Sequence, residues 1–224
     1  MFDHQRVYSI PIRSAVHLLL ILLILSAVSR PARAQATQVY NSDIGFSFAL
    51  PAGWEVVDMK PSLPAMKQDL EKSAASNDEK QGIGCSQLDL TARHGNPASV
   101  VVVLDLPFAC FGREMTDKDL LAFGAGASEG LKETFNISDP VQAVYSHGSH
   151  LMWIERAKGT PKAKPETQYT VETVCSLLKK GAVCWMAMIV DNSALEIFEQ
   201  SPVGLDSDAP SALVPANAFD KKPS

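Results

Sequence analysis

The run Val100-Val101-Val102-Val103-Leu104 constrains this chain more than any other feature. Valine is branched at Cβ, so it loses side-chain freedom in a helix and packs well on a pleated strand. With no polar residue in the alternation, both faces of the segment need cover, which makes it a central strand with a layer above and below. Cys184-Trp185-Met186-Ala187-Met188 repeats the pattern further along. The 224 residues, 46% hydrophobic and 20% charged, hold enough apolar material for one compact domain and too much for wholesale disorder.

Around these runs the chain reads as strands joined by short turns, with helices between. Ile44 to Leu50 alternates large apolar with small or polar residues, meets Pro51-Ala52-Gly53, and restarts at Trp54. Ser62 caps a helix with an apolar stripe of Leu63, Met66, Leu70 and Ala74. Strands follow over Cys85 to Ala92 and Ser99 to Phe108. Thr116 with Asp119 three residues on forms a capping arrangement that opens a helix to about Phe135. Val141 to Ser146, His150 to Ala157, Gln168 to Leu178 and Ala182 to Val190 read as four more strands, and Ala194 to Gln200 as a last helix. Because most connections are short enough for hairpins, the expected class is α+β, a largely antiparallel sheet with helices packed on it. A doubly wound nucleotide-binding fold is excluded.

The N-terminus has the three parts of a signal peptide: Arg6 and Arg13, an apolar block from Ala15 to Val28, and Ala32-Arg33-Ala34. That block is 14 residues long, short of the roughly 20 that span a bilayer. Cleavage is expected after Ala34, which leaves residues 38–202 as a single domain and 206–224 as a flexible, Asp-, Ser- and Pro-rich tail. The leader holds a net three positive charges, so cleavage takes the formal charge from -5 to -8 over 190 residues. Such acidity disfavours nucleic acid, and a periplasmic or secreted protein with no stable membrane insertion is expected.

Tyr40, Ile44-Gly45-Phe46-Ser47-Phe48 and Leu50-Pro51-Ala52-Gly53-Trp54, followed by a helix, strands, a helix and a four-strand meander, resemble the PsbP-like and Mog1-like α/β/α sandwich domains. The likeness covers most of residues 38–202. It implies an architecture, and members that act mostly as binding or assembly factors; no functional residue of theirs maps onto a motif here.

Four cysteines in an exported chain point to disulfides. Cys85 opens one strand and Cys110 follows the end of the next, while Cys175 and Cys184 flank a hairpin turn at Lys179-Lys180-Gly181, so the favoured pairs are Cys85 with Cys110 and Cys175 with Cys184. The two-residue spacing common in redox or metal sites is absent.

Other patterns offer chemistry and have blander explanations. Gly126-Ala127-Ser128-Glu129-Gly130 matches the G-x-S-x-G of serine hydrolases, with Asp139 and His147 following in order. A nucleophile elbow needs a strand before the serine, however, and Asp117 to Ala125 reads as helix. Gly124, Gly126, Ala127 and Gly130 instead let that helix lie close on the sheet. His147-Gly148-Ser149-His150 reads as a hairpin tip whose two imidazoles share one face, a pair able to take zinc or copper if a third ligand such as His94 stands near. Lys158, Lys162 and Lys164 with Lys179 and Lys180 could form a basic edge for an acidic partner, but solvated hairpin loops are the better explanation. Trp153, Trp185, Met186 and Met188 fit core positions. The expected function is therefore a non-catalytic binding, assembly or accessory domain with no cofactor, its partner a protein or small molecule; the alternatives are a secreted hydrolase using Ser128 and His147, and a metal binder through His147 and His150.

Overall fold

The computed structural model describes residues 38–73, 80, 83–110 and 114–220. The expected leader and Ala74 lie outside the described residues, as do the side chains of Met66 and Leu70 from the first helix's stripe.

The chain opens with β1 (Gln38–Asn41), β2 (Phe46–Leu50) and β3 (Glu55–Val56), then α1 (Leu63–Ser73). Next come β4 (Gln87–His94), β5 (Ser99–Pro107) and α2 (Asp117–Leu131). A meander of β6 (Phe135–His147), β7 (His150–Pro161), β8 (Tyr169–Leu177) and β9 (Gly181–Ile189) leads to α3 (Asn192–Glu199), β10 (Pro202–Leu205) and β11 (Ser211–Ala212). Seven strands form one sheet in the order β3-β4-β5-β9-β8-β7-β6, and β1-β2-β10-β11 form a smaller one. The pairings are antiparallel throughout, as the short connections dictate. The protein is α+β.

The valine run sits where its composition requires, between β4 and β9 and buried along its length. Val101 and Val103 face the small sheet, with Trp185, Phe46 and Phe48 in the same core. Val100, Val102 and Leu104 face the other way, toward Leu131 and Met188 under the helices. Removing a buried apolar side chain of this size from water contributes about 1.5–3 kcal/mol. α2 begins at Thr116, whose backbone N–H and hydroxyl both bond Asp119, and lays Leu120, Phe123 and Ala127 against Trp153 and Cys175. A Cβ on Gly124 would fall inside the Trp153 indole, so the small residues of α2 serve close approach, as expected.

Two parts differ from the sequence reading. β6 starts at Phe135 rather than Val141, because α2 ends at Leu131 and the chain turns into the sheet through Thr134; a bulge between Ser138 and Val141 hid the alternation. The tail expected from residue 206 is folded as far as residue 220. β11 pairs with β10, Leu213, Val214 and Ala218 are buried in the core beneath the small sheet, and the Tyr145 hydroxyl donates to the Leu213 carbonyl at 2.6 Å. A few apolar side chains in a polar stretch hold it down. The domain therefore runs past residue 202, and of the expected tail only 221–224 lie outside the described residues.

Candidate functional site

Ser128 and His147 lie on opposite faces of the seven-stranded sheet. Ser128 is mid-helix in α2, 4% exposed, and its hydroxyl donates to Glu155 Oε1 on β7, whose other carboxylate oxygen accepts from Gln142 Nε2. His147 is two residues on from Tyr145 and points toward the small sheet, where Nε2 meets the Ser211 hydroxyl at 3.0 Å. Asp139 is exposed at the β6 bulge, 3.4 Å from Lys158 Nζ. The hydrolase reading is corrected: the glycines around Ser128 belong to a packed helix, and strand alternation sends the histidine to the far face.

His147 and His150 are register partners, as the hairpin spacing predicts, but each imidazole is engaged separately. His150 Nδ1 meets the Leu177 carbonyl at 3.0 Å, and its Nε2 lies 3.3 Å from Asp206 Oδ2 and 4.0 Å from Asp208 Oδ2. Asp208 in turn accepts from the Ser149 N–H and hydroxyl, so the segment after β10 clasps the hairpin tip. His94 belongs to β4, three intervening strands from β7, and stacks on Trp54. Among the described residues no group of three or more His, Cys, Asp and Glu is placed to hold a metal ion.

The lysines expected along one edge are separated as well. Lys158, Lys162 and Lys164 lie toward the β7 end where Gly159 faces Tyr169; Lys179 and Lys180 turn the β8–β9 hairpin at the other end, where Met152 faces Ser176. Trp153, Trp185, Met186 and Met188 are core residues, each at most 2% exposed. Cys175 and Cys184 are directly opposed on β8 and β9 and form a disulfide, Cα to Cα 4.2 Å. Cys85 and Cys110 are brought together as thiols in hydrogen-bond contact, and burial with the neighbouring Cys110 pushes the Cys85 thiol up to about 11.

A site that sequence reading missed lies at the edge of β4. β3 is two residues long and pairs with Arg93 and Ala92, so among the described residues the β4 edge from Leu88 to Leu90 has no neighbouring strand. The chain beyond Val56 bows outward through Met59 to α1, leaving a cavity of about 510 Å³ between that loop, β4 and the first hairpin. Tyr40, Leu50, Met59, Leu63 and Leu88 supply apolar wall. Asp89 and Thr91 also line it, while Asp89 Oδ2 and the Thr91 hydroxyl are themselves buried away from it and have no partner among the described residues.

The electrostatics follow from a β-bulge. The register slips between Leu88 and Leu90, making Asp89 the extra residue, and the bulge turns its carboxylate toward Asp105 on β5 and toward Tyr40 and Ser42 of the first hairpin, all three of which hydrogen-bond to it. Asp105, 1% exposed, is pushed up to about 7 by burial, then by the charge and hydrogen bond of Asp89. Burial with Asp89 pushes the Tyr40 phenol up to about 12. Burial also raises Asp89, while the three hydrogen bonds it accepts oppose that rise. The two carboxyls are neighbours and titrate as a pair, with burial raising both. The available signal was a carboxylate inside an apolar strand, in Leu88-Asp89-Leu90 and Leu104-Asp105-Leu106.

No family model matches the chain, and no curated protein matches it. Among solved structures it is similar to the solution structure of cyanobacterial PsbP (CyanoP) from Synechocystis sp. PCC 6803, at 12% identity and a TM-score of 0.40, over 76% of this chain and 91% of that one. A superposition that loose bears on neither partner nor chemistry. No helix among the described residues is long and apolar enough to cross a membrane.

Proposed function

We propose that this chain is an exported binding domain, an assembly or accessory factor that works without covalent chemistry, and that it holds a small-molecule ligand in the cavity beside β4. The observation that carries this reading is the cavity of about 510 Å³ beside β4, walled by Tyr40, Leu50, Met59, Leu63 and Leu88. Concave apolar sites with a few convergent polar groups are the usual form of small-molecule sites. Export rests on the leader-like N-terminus, and N-terminal sequencing of the protein from its own host should find cleavage after Ala34.

Native mass spectrometry of that same material, repeated after denaturation, tests the binding role. The expected result is an extra mass that disappears on denaturation. Substrate turnover abolished by Ser128→Ala would overturn the non-catalytic reading, and a bare polypeptide in every preparation would count against the cavity.

A further inference from the structure

We propose that this protein pairs with a second copy of itself along the outer edge of β6, residues 141–147 of the two chains running antiparallel about a two-fold axis at Val144 and joining the two large sheets into one. The length of that edge sets it apart. The other strands at sheet edges are short, β3 and β11 with two residues and β1 with four, whereas β6 has 13 and, among the described residues, only β7 beside it. A long edge strand presents a row of unpaired N–H and C=O groups to any other strand unless charge, proline or a bulge blunts it. The first half of β6 has all three, in Asp139, Pro140 and the bulge between Ser138 and Val141. The second half, Val141-Gln142-Ala143-Val144-Tyr145-Ser146-His147, holds no Asp, Glu, Lys, Arg or Pro.

The backbone groups of this half point the right way. Gly148 and Ser149 form a two-residue turn between His147 and His150; residues that flank such a turn bond to each other, and every second pair along the hairpin does the same. Val141, Ala143, Tyr145 and His147 therefore turn their backbone groups to β7, while those of Gln142, Val144 and Ser146 face outward. None of these three has a backbone partner on that side among the described residues. The stretch is also complementary to itself. Pro140 at one end and the Gly148 turn at the other confine pairing to the same seven residues in both copies, which centres the register on Val144. Gln142 then meets Ser146, Ala143 meets Tyr145 and Val141 meets His147, so no like charges are opposed. Val141 and Val144 are 51% and 40% exposed, on opposite faces of the strand, and pairing covers part of both. A two-fold contact of this kind uses the same edge of both copies and closes at the dimer.

Sedimentation velocity of the purified protein from micromolar to millimolar concentration measures the association, and amide hydrogen exchange at the two ends of that range locates it. The parent should dimerise as concentration rises, with added protection at the amides of Gln142, Val144 and Ser146. Val144→Lys and Val144→Glu each set a charge opposite its own copy, and each should raise the dimer dissociation constant about tenfold or more. An equimolar mixture of the two variants should recover the dimer, because a residue that faces itself turns two repelling pairs into one attracting pair. A parent that stays monomeric at millimolar concentration would overturn the proposal and leave the edge to a strand of another protein. A dimer that neither variant weakens would lie elsewhere on the surface and overturn it as well, and a mixture that does not recover would overturn the register at Val144. If a variant fails to fold, exchange on the parent alone decides: a dimer that leaves those three amides unprotected is not formed through β6.

Discussion

Ser128 shows how a short motif reverses its meaning once its neighbours are known. Its hydroxyl and the Gln142 amide satisfy the two oxygens of Glu155, a carboxylate only 7% exposed between α2 and β7. Removing one donor leaves a buried charged oxygen underserved, so Ser128→Ala should lower unfolding stability by about 1–3 kcal/mol in urea, while Ser128→Thr, which keeps the hydroxyl, should cost less than the alanine. A Ser128→Ala protein as stable as the parent would show that the Glu155 network contributes nothing. Cys85 supports a second prediction. Its thiol is pushed up to about 11, first by burial and then by Cys110, so at pH 8 the thiolate is scarce. Alkylation of the reduced protein at Cys85 should run roughly a hundredfold slower than that of an ordinary thiol. Nearness to Cys110 also leaves the pair ready to close under an added oxidant, and we propose that it does so on export; the intact mass then falls by two hydrogens more than the Cys175–Cys184 bridge accounts for.

The start and the packed face of α2 were both marked in the sequence, and its packing can be probed directly. Gly124 is buried under Trp153, and a methyl group there would fall inside the indole ring. Alanine raises helix propensity by about 1 kcal/mol, whereas forcing α2 off the sheet costs about 1–3 kcal/mol or more. Gly124→Ala should therefore destabilise, while Ala125→Gly on the exposed side should lose only the propensity term. Thermal melts of the two variants separate the effects: a stabilised Gly124→Ala would mean that α2 stands further from β7 than the contact implies. Elements with a strict period were legible in this way. Thr116 and Asp119 marked a helix start, the valine run marked a doubly covered strand, and the Cys175 and Cys184 spacing marked opposed strand positions. β10 and β11 were not legible, because Pro202-Val203-Gly204-Leu205 and Ser211-Ala212 are too short and too small to carry a period and become strands only by pairing with β2 and with each other. The cavity was hidden for a related reason. It exists because β3 stops after two residues and β4 slips register at Asp89, and neither event leaves a pattern that one strand can show alone.

At the scale of the whole molecule, buried carboxyls set how stability responds to pH. Asp105 has an ordinary value near 3.8 in the unfolded chain and is pushed up to about 7 in the fold. Between those values the folded protein holds a proton that the unfolded chain has released, so unfolding liberates it and raising the pH favours unfolding. The contribution is absent below about pH 4, grows unfavourable toward pH 7, and is constant above. Its steepest slope for one group is about 1.4 kcal/mol per pH unit. Glu172, 0% exposed on β8, is shifted in the same direction by burial, with Arg156 Nε only 2.7 Å away pulling the other way. Asp191 and Asp208 are lowered by hydrogen bonds from Ser193 and Ser149, so their stabilising effect is lost only in acid, as pH falls below the ordinary carboxylate range. The Asp105 effect is isolated by comparing the protein with Asp105→Asn, whose amide can still donate to Asp89 and does not titrate. Urea unfolding at pH 4.5, 6 and 7.5 should show the parent losing stability relative to the variant as pH rises, with most of the divergence complete by pH 7.5. Parallel curves across that window would show that Asp105 does not hold the extra proton. A widening gap would tie the stability of the whole fold to the pair of carboxyls behind the cavity.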